Sequence, residues 1–291
     1  MVHIENAAVK AYISEHGAEL KKLESKESGR NYIYDGSAGW KRSAPVLFPN
    51  IGGLAEEKLL YNGNTFPALP HGFARDMDFE IENESDDRAV FCLRDSEETR
   101  KYYPFSFILR VTYTLLENGI EVRWDVENKD RQMIFFSIGA HPGFCLTESS
   151  TLKDYELIFN KKTSVYTRRV IGRYLTKDKE HISDPCRELP LSSDLMANDA
   201  IILEDTGISQ MNLYSEKYNY NLSMEFPDFP VVALWTDTHQ VENAKFFCIE
   251  PWCGINSLID DHAEDISKKD RIDKLDPNQV FSKKYSIRIE E

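Results

Sequence analysis

Glu250 interrupts an apolar run of the sequence, FFCIEPWCG at 246–254. A carboxylate rarely lies among apolar side chains without a partner or a chemical task, because burial of its charge is unfavourable. Partial desolvation raises the pKa of a carboxyl group towards the range in which it acts as a general base. We therefore interpret Glu250 as a candidate base. The structural alternative is a buried ion pair with Arg42 or Arg75.

Two histidines lie at positions where the chain restricts their side chains. His141 ends the apolar segment FFSIGA and is followed by Pro-Gly, and His71 precedes a glycine in the loop LPHGFARD at 69–76. Imidazole is the side chain best suited to proton transfer near neutral pH. The alternatives are a hydrogen-bonded core histidine at 141 and a purely structural turn at 71. We favour proton transfer for His141 and leave both interpretations of His71 open.

Two arginines accompany these segments. Arg42 precedes the segment SAPVLFPNIGG at 43–53, and Arg75 follows His71 by four residues. A guanidinium presents a fixed fork of donors to an oxygen-rich ligand. An arginine at the start of a strand is more often solvated or ion-paired, and Arg75 has Asp76 and Asp78 close by in the sequence. Residue type alone therefore leaves the roles of both arginines open.

The known sequence signatures of metal, nucleophile and phosphate chemistry are missing. His71, His141 and Glu250 have the ligand types of a zinc site, but they lack HExxH-type spacing. The sequence also lacks GxSxG, a Cys/His signature and the glycine-rich loops that cradle phosphates. We therefore predict no metal and no cofactor. Proton transfer on a small polar molecule, or binding alone, remains.

The elements around these segments alternate with period two. Apolar and polar residues alternate through 105–126, and Glu117-Asn118-Gly119 forms a turn signal between two such runs. This pattern predicts an antiparallel hairpin with one buried face. A closing strand is predicted at 285–289, and 211–214, 220–226 and 231–235 are predicted to form a meander. We also expect short helices at 184–195 and 278–283, and treat 260–274 as a solvated excursion.

Closely spaced strands with no long helical pattern predict an all-β fold, a large antiparallel β-sandwich. The 291 residues contain no repeat or linker that would divide them, so we expect a single domain over 1–291.

The 35 basic and 49 acidic residues give a net charge of −14, which disfavours nucleic acid and anionic membranes as partners. The N-terminus lacks a signal-peptide pattern, and no apolar run approaches a membrane span. Five cysteines without CxxC spacing are expected to be free thiols in a reducing cytoplasm.

Together these segments resemble the aldose 1-epimerase (galactose mutarotase) family, and within it the branch of LacX-like and hexose-6-phosphate mutarotase-like proteins. The resemblance follows the chain in order and includes five motifs: PVLFPNIGG after Arg42, LPHGFAR at 69–75, GAHPGF at 139–144, NDAIIL at 198–203 and CIEPWCGI at 248–255. It implies a large curved β-sandwich, the galactose mutarotase-like supersandwich, with a sugar in a cleft across one sheet. It also implies an isomerase of a free or phosphorylated aldohexose that needs no cofactor.

The resemblance further implies a role for each matching residue. Glu250 corresponds to the base that takes the proton of the C1 hydroxyl, and His141 to the acid that acts on the ring oxygen. His71 corresponds to a second histidine near the ring oxygen and C1. Arg42, Arg75 and Asp199 correspond to residues that hold the sugar, although an Asp before an apolar strand is usually a turn residue. The expected partner is a small sugar, and the expected assembly is a monomer or a homodimer.

Two other functions compete with the mutarotase. The first is a sugar-binding or sugar-sensing sandwich without turnover. It predicts saturable sugar binding that persists when Glu250 is replaced by glutamine. The second is a metal-dependent sugar isomerase or lyase on a β-scaffold, which predicts stoichiometric metal and loss of activity with chelators. Acceleration of anomer exchange, abolished in Glu250→Gln, distinguishes the mutarotase from both.

Overall fold

The computed structural model describes residues 1–290, and β-strands form most of this part of the chain. The strands of its first half are β1 Val2–Glu5, β2 Val9–Ser14, β3 Glu19–Ser25, β4 Val46–Leu47, β5 Lys58–Tyr61, β6 Asn64–Pro67, β7 Glu80–Glu84, β8 Arg88–Arg94, β9 Phe107–Leu116, β10 Gly119–Asn128, β11 Ile134–Phe136, β12 Ile138–Ala140 and β13 Gly143–Cys145. Those of its second half are β14 Glu156–Ile171, β15 Tyr174–Pro190, β16 Ile201–Glu204, β17 Gln210–Ser215, β18 Tyr220–Glu225, β19 Val231–Trp235, β20 Phe246–Cys253, β21 Asp273–Leu275 and β22 Val280–Ile289.

Helical structure in the described residues is limited to short turns. One α-helical turn, α1, spans Ser193–Met196. The 3₁₀ turns are Ala55–Glu57, Ala74–Asp76, Thr99–Lys101, Leu152–Asp154, Thr238–Asn243 and Ile266–Lys268. No helix formed by residues 1–290 has the length and apolarity needed to cross a membrane.

Two large sheets pack face to face. Within residues 1–290, nine strands form one sheet in the order β15-β14-β17-β18-β22-β10-β9-β8-β7. Six form the other, in which β16-β19-β20-β12-β4 are neighbours and β13 also pairs with β20. Trp124 and Ile287 of the first sheet share one buried apolar cluster with Leu234 and Ile249 of the second. The predicted all-β, large antiparallel β-sandwich is therefore confirmed.

The hairpin predicted at 105–126 is present as β9 and β10, with Leu116 paired to Gly119. Its turn differs from the expected one, because neither Asn118 nor Gly119 has the positive φ that Asn-Gly turns usually adopt. Gly119 is required for another reason. A Cβ at this position would lie 2.0 Å from the carbonyl oxygen of Ile287 in the neighbouring strand β22. The glycine thus allows close approach of a third strand.

The predicted meander is corrected by the sheet topology. β17 and β18 are neighbours in the nine-stranded sheet, whereas β19 belongs to the six-stranded sheet and pairs with β16 and β20. The strand at 285–289 is confirmed as the end of β22, which pairs with β10 and β18. The chain therefore crosses from one sheet to the other at the turn 226–230, which carries it towards the site described below.

Both predicted helices are largely wrong. Residues 184–190 continue β15, and a helical turn starts only at α1, where the Ser192 hydroxyl accepts a hydrogen bond from Leu195 N at 3.1 Å. Residues 280–283 begin β22 and pair with β10. In each case an existing strand edge offers backbone hydrogen bonds, and these override a weak local preference for helix.

Strand β20 forms the floor of the site because its side chains alternate between the two faces of its sheet. Ile249 packs into the apolar core between the sheets. Glu250 and Trp252 line a cavity on the opposite face. The tip of the long β14–β15 hairpin closes one side of this cavity, and the carbonyl oxygen of Arg173 accepts hydrogen bonds from Gly53 N at 3.1 Å and Asn256 Nδ2 at 2.9 Å.

Candidate active site

The register of the six-stranded sheet brings His141 next to Glu250. Gly139 pairs with Trp252 on one side of His141, and Gly143 pairs with Cys248 on the other. His141 therefore lies across from Glu250, and its Nε2 is 3.3 Å from Glu250 Oε2. Only 8% of His141 and 1% of Glu250 is exposed. Two titratable groups thus meet in surroundings that exclude most of the solvent.

Burial shifts the pKa values of this pair in opposite directions. It raises the pKa of Glu250 well above 4.5; the nearby Asp199 adds to this effect and the Trp252 indole partly offsets it. It lowers the pKa of His141 well below 6.5, and the neighbouring His71 and Arg75 lower it further. Both shifts favour the uncharged forms, since desolvation penalises charge. Burial therefore favours a protonated carboxyl group at Glu250 beside a neutral imidazole at His141.

His71 is held as a neutral hydrogen-bond donor. Its backbone adopts φ 61° at a turn, and Gly72 follows with φ 70°. Its Nδ1 accepts the backbone N–H of Gly52 at 3.3 Å, so the ring proton of the neutral form resides on Nε2. Burial, with the charges of Arg75 and Arg42, lowers the pKa of His71 to about 3. Its ring centroid lies 5.7 Å from that of His141.

The two arginines are placed differently. Arg75 lines the same cavity as Glu250, and its side chain donates to Pro70 O at 2.6 Å, whereas its buried Nε has no hydrogen-bond partner. Burial and the charge of Arg42 lower the pKa of Arg75 to about 10. Arg42 does not line this cavity. It forms an ion pair with Asp76 at 2.8 Å and donates to Arg75 O at 3.4 Å, and so supports the 71–76 loop from behind.

Asp199 lies at the cavity wall just before β16 and has φ 69°. Its Oδ1 accepts the backbone N–H of Ala200 at 2.9 Å, as expected of a turn residue. Burial raises the pKa of its carboxyl group, against the opposing effect of hydrogen bonds from Ala200 and the Trp235 indole. The residue thus has both a local structural contact and a carboxylate available to the cavity.

Aromatic rings that the sequence analysis did not select form much of the wall. Trp40 stacks on His141 with ring centroids 4.8 Å apart and contacts Trp235 edge-on at 5.6 Å. Trp252 donates its indole N–H to Ala140 O at 3.2 Å. Trp252 was visible only as part of the Glu-Pro-Trp motif, and nothing near Trp40 in the sequence distinguishes it from a surface tryptophan.

The cavity has a volume of about 280 Å³. This is close to the lower end of small-molecule sites, roughly 300–1,000 Å³. His71, His141, Arg75, Asp199 and Glu250 all line it, so five of the six predicted site residues converge and Arg42 lies outside. A larger cavity of about 590 Å³ is lined in part by the charged segment 261–270 and contains none of these five residues. The smaller cavity contains both His141 and Glu250, and we therefore treat it as the candidate site.

The residues best placed to hold a metal ion differ from the set considered from the sequence. One ligand atom from each of His141, Cys248 and Glu250 lies within 4.8 Å of the other two. His71 is not part of this group. All five cysteines are free thiols, and Cys248 is fully buried.

The β-sandwich and the side chains that line its cavity together indicate the kind of small molecule that the protein binds. Apolar ring faces alternate with a few fixed donors and acceptors around a buried acid–base pair, which suits a small molecule with apolar faces and a hydroxylated edge. The chain belongs to the aldose 1-epimerase family, whose model matches residues 1–287.

Relatives from lactic acid bacteria match over nearly the whole chain. The plasmid-encoded protein LacX of Lactococcus lactis subsp. lactis is 28% identical over 301 aligned residues, which cover 99% of each chain. A galactose mutarotase related enzyme from Lactobacillus acidophilus is 31% identical with a TM-score of 0.92, covering 100% of this chain and 97% of that one. A galactose mutarotase-like protein from Lactobacillus casei is 31% identical with a TM-score of 0.93, and both chains are covered completely.

Proposed function

We propose that this protein is a mutarotase that interconverts the α and β anomers of an aldohexose or a hexose phosphate by general acid–base ring opening and reclosure. Glu250 is the base that removes the proton from O1, and His141 is the acid that protonates the ring oxygen O5. The observation that carries this proposal is the buried approach of His141 Nε2 to Glu250 Oε2 at 3.3 Å. Family membership supports a sugar as the ligand.

One proton on the pair is enough for both directions of the reaction. Ring opening starts from ionised Glu250 and protonated His141. Glu250 takes the O1 proton, His141 gives a proton to O5, and the C1–O5 bond breaks. This leaves neutral Glu250 and neutral His141, which is the arrangement that burial favours. Rotation about C1–C2 and the reverse transfers then close the ring on the other face. Each transfer is worth about 10²–10⁴-fold in rate.

The remaining cavity residues orient the sugar. His71 offers Nε2–H, because its Nδ1 is occupied by Gly52 N, so it acts as a donor to a sugar oxygen near C1. Arg75 lines the cavity; its guanidinium forms an ion pair with Asp76 at 3.7 Å and donates to hydroxyl or phosphate oxygens of the sugar. Asp199 accepts from a hydroxyl. Such fixed contacts keep the reacting atoms aligned with the acid–base pair.

Arg42 has a supporting role in this proposal. Its ion pair with Asp76 holds the loop that carries His71 and Arg75, whereas the family resemblance had led us to expect Arg42 at the sugar itself. Arg75 and, at the hairpin tip, Arg173 are the cations that line the cavity in the described residues. The phosphate group of a phosphorylated hexose would therefore contact Arg75 or Arg173, and not an Arg42–Arg75 pair.

The test is anomer exchange measured by NMR on a panel of sugars and sugar phosphates. We expect acceleration above the spontaneous rate with at least one of them, and loss of that acceleration in Glu250→Gln. Asp273→Asn is the matched control. Asp273 is another carboxyl group whose pKa is raised by burial, to about 6, but it lies outside the cavity.

Other results would select a different function. Saturable sugar binding without acceleration, unchanged in Glu250→Gln, identifies a sugar-binding or sensing protein. Activity that disappears with a chelator and returns with metal identifies a metal-dependent isomerase or lyase. No acceleration with any aldose or aldose phosphate ends the mutarotase proposal.

A further inference from the structure

Cys248 lies beside the acid–base pair on the same strand. It precedes Glu250 by two residues in β20, so both side chains project from the same face of the sheet. The thiol is fully buried and packs with Tyr34 and Phe246, near Trp40 and Trp235. The acid–base mechanism makes no use of this thiol, although its sulfur is within 4.8 Å of ligand atoms of His141 and Glu250.

The carboxylate in this group has an oxygen without a hydrogen bond. Glu250 Oε2 is buried and accepts from no donor; His141 Nε2 is 3.3 Å away but without hydrogen-bond geometry. The Nδ1 atom of His141 is also buried without a partner. Buried polar atoms are nearly always satisfied, so the unsatisfied Glu250 Oε2 beside His141 Nε2 indicates a place where a ligand completes the contacts.

The donor types select among metal ions. One nitrogen, one sulfur and one oxygen form a set suited to zinc, whereas magnesium and calcium prefer oxygen ligands alone. Ligand atoms of tetrahedral zinc are separated by about 3.3–3.8 Å, given bond lengths of about 2.0–2.3 Å. His141 Nε2 and Glu250 Oε2 already have this separation, and the widest pair of the group needs to close by about 1–1.5 Å. The neighbouring cavity leaves a fourth position for water or for a sugar oxygen.

Charge balance also fits a divalent ion. Zinc binds a thiolate, a carboxylate and a neutral imidazole, so the proton of the thiol and any proton on Glu250 leave to solvent. The two negative charges then neutralise the ion. The guanidinium of Arg75 in the same cavity opposes a free cation, but its hydrogen bond to Pro70 O anchors it on the loop.

We infer that His141, Cys248 and Glu250 form an inhibitory zinc site, in which one ion occupies the acid–base pair and blocks anomer exchange. The inhibitory effect rests on the proposed mutarotase function, whereas binding of the metal does not. The site requires no cysteine other than Cys248. Mg²⁺ is expected to have no effect at the same concentration.

Metal binding is tested first by adding Co²⁺ to the full-length protein and recording the near-ultraviolet charge-transfer band of a cobalt–thiolate bond. The wild-type chain and Cys253→Ser should show this band with one ion per chain. Cys248→Ser should lack it, and Glu250→Gln should bind Co²⁺ more weakly while keeping its thiol. Cys253 is a matched control because it is a buried thiol in the same strand.

Inhibition is tested with Zn²⁺ in the anomer-exchange assay. Zinc should inhibit the wild type and Cys253→Ser, and a chelator should restore the rate. In Cys248→Ser the uninhibited rate should remain and the zinc concentration for half-inhibition should rise more than about 100-fold, beyond the loss typical of changes next to a metal ligand. Circular dichroism and thermal unfolding verify that Cys248→Ser is folded, and Cys248→Ala serves as a second variant.

The outcomes separate the two proposals. No thiolate band in the wild type, or an equal band in Cys248→Ser, overturns the metal site and leaves the mutarotase intact. A thiolate band that depends on Cys248, in a protein without anomer-exchange activity, supports the metal site and refutes the mutarotase proposal. Zinc inhibition that is identical in the wild type and Cys248→Ser refutes inhibition through this site.

Discussion

His141 Nε2 and Glu250 Oε2 lie 3.3 Å apart, and burial raises the pKa of one while it lowers the pKa of the other. Glu250 lies in β20, and His141 lies between β12 and β13, both of which pair with β20, and the two side chains line a small cavity. A pair arranged in this way can give and take a proton within one site.

The two members of the pair should act as one unit. We expect His141→Asn and Glu250→Gln each to lower the anomer-exchange rate by about 10²–10⁴-fold. The double variant should have an anomer-exchange rate little lower than that of the less active single variant, because each residue needs the other to complete the proton transfers. NMR exchange rates measure this. His181→Asn, at an exposed histidine, is the control. Losses that multiply in the double variant would mean that the two groups act independently.

Glu250 should lower stability as the pH rises. Its pKa is raised in the folded protein, so above 4.5 the folded chain keeps a proton that the unfolded chain has lost, and stability falls with pH until the folded pKa is reached. Glu250→Gln removes this loss. Its stability relative to the wild type should grow by roughly 1 kcal/mol per pH unit in that window.

Denaturant unfolding at a series of pH values measures this difference. Asp273→Asn provides a comparison with a narrower window, since the pKa of Asp273 is raised from 3.8 to about 6. Its relative gain should stop near pH 6, whereas that of Glu250→Gln should continue as long as the folded protein retains the Glu250 proton. A pH-independent difference for Glu250→Gln would mean that the carboxyl group titrates normally.

The acid limb of the pH–rate profile should lie well below pH 6.5. Burial, His71 and Arg75 lower the pKa of His141, so its imidazolium form appears only in acid solution. Arg75→Gln removes a positive charge that disfavours imidazolium, and the limb should therefore move to higher pH. Arg42→Gln should move it less, since Arg42 contributes less to the shift. The profile of kcat/KM, corrected for spontaneous exchange, reports these values. An unmoved limb in Arg75→Gln would assign the limb to another group.

The His71 loop should depend on Gly72. Its φ is +70°, and a Cβ at this position would lie 2.1 Å from the carbonyl oxygen of Phe48. Gly29 has a similar φ of +71° with nothing within 4 Å, so Gly29→Ala carries only the backbone strain, about 1–2 kcal/mol. Gly72→Ala should lower the unfolding temperature further and reduce anomer exchange. Equal effects of the two substitutions on stability and activity would show that the contact with Phe48 is not limiting.

Much of the fold follows from local sequence pattern. The alternation of apolar and polar residues through most of 107–116 and 119–128 favours strands, because period two places the apolar side chains on one face of a sheet. The pattern did not reveal which sheet each strand joins, and β19 therefore seemed continuous with β17 and β18. It also failed at 184–190 and 280–283, where pairing with a neighbouring strand outweighs local propensity.

The sequence alone determined that Glu250 and His141 are unusual, because a carboxylate and an imidazole at the ends of apolar segments need a partner or a task. Only the tertiary structure decided that they meet, since the distance between chain-remote groups depends on strand register and sheet packing. The same packing turned Arg42 towards Asp76 and brought Trp40 over His141. Residue type limits what a side chain can do, whereas its neighbours in space determine its pKa, its partners and its access to a ligand.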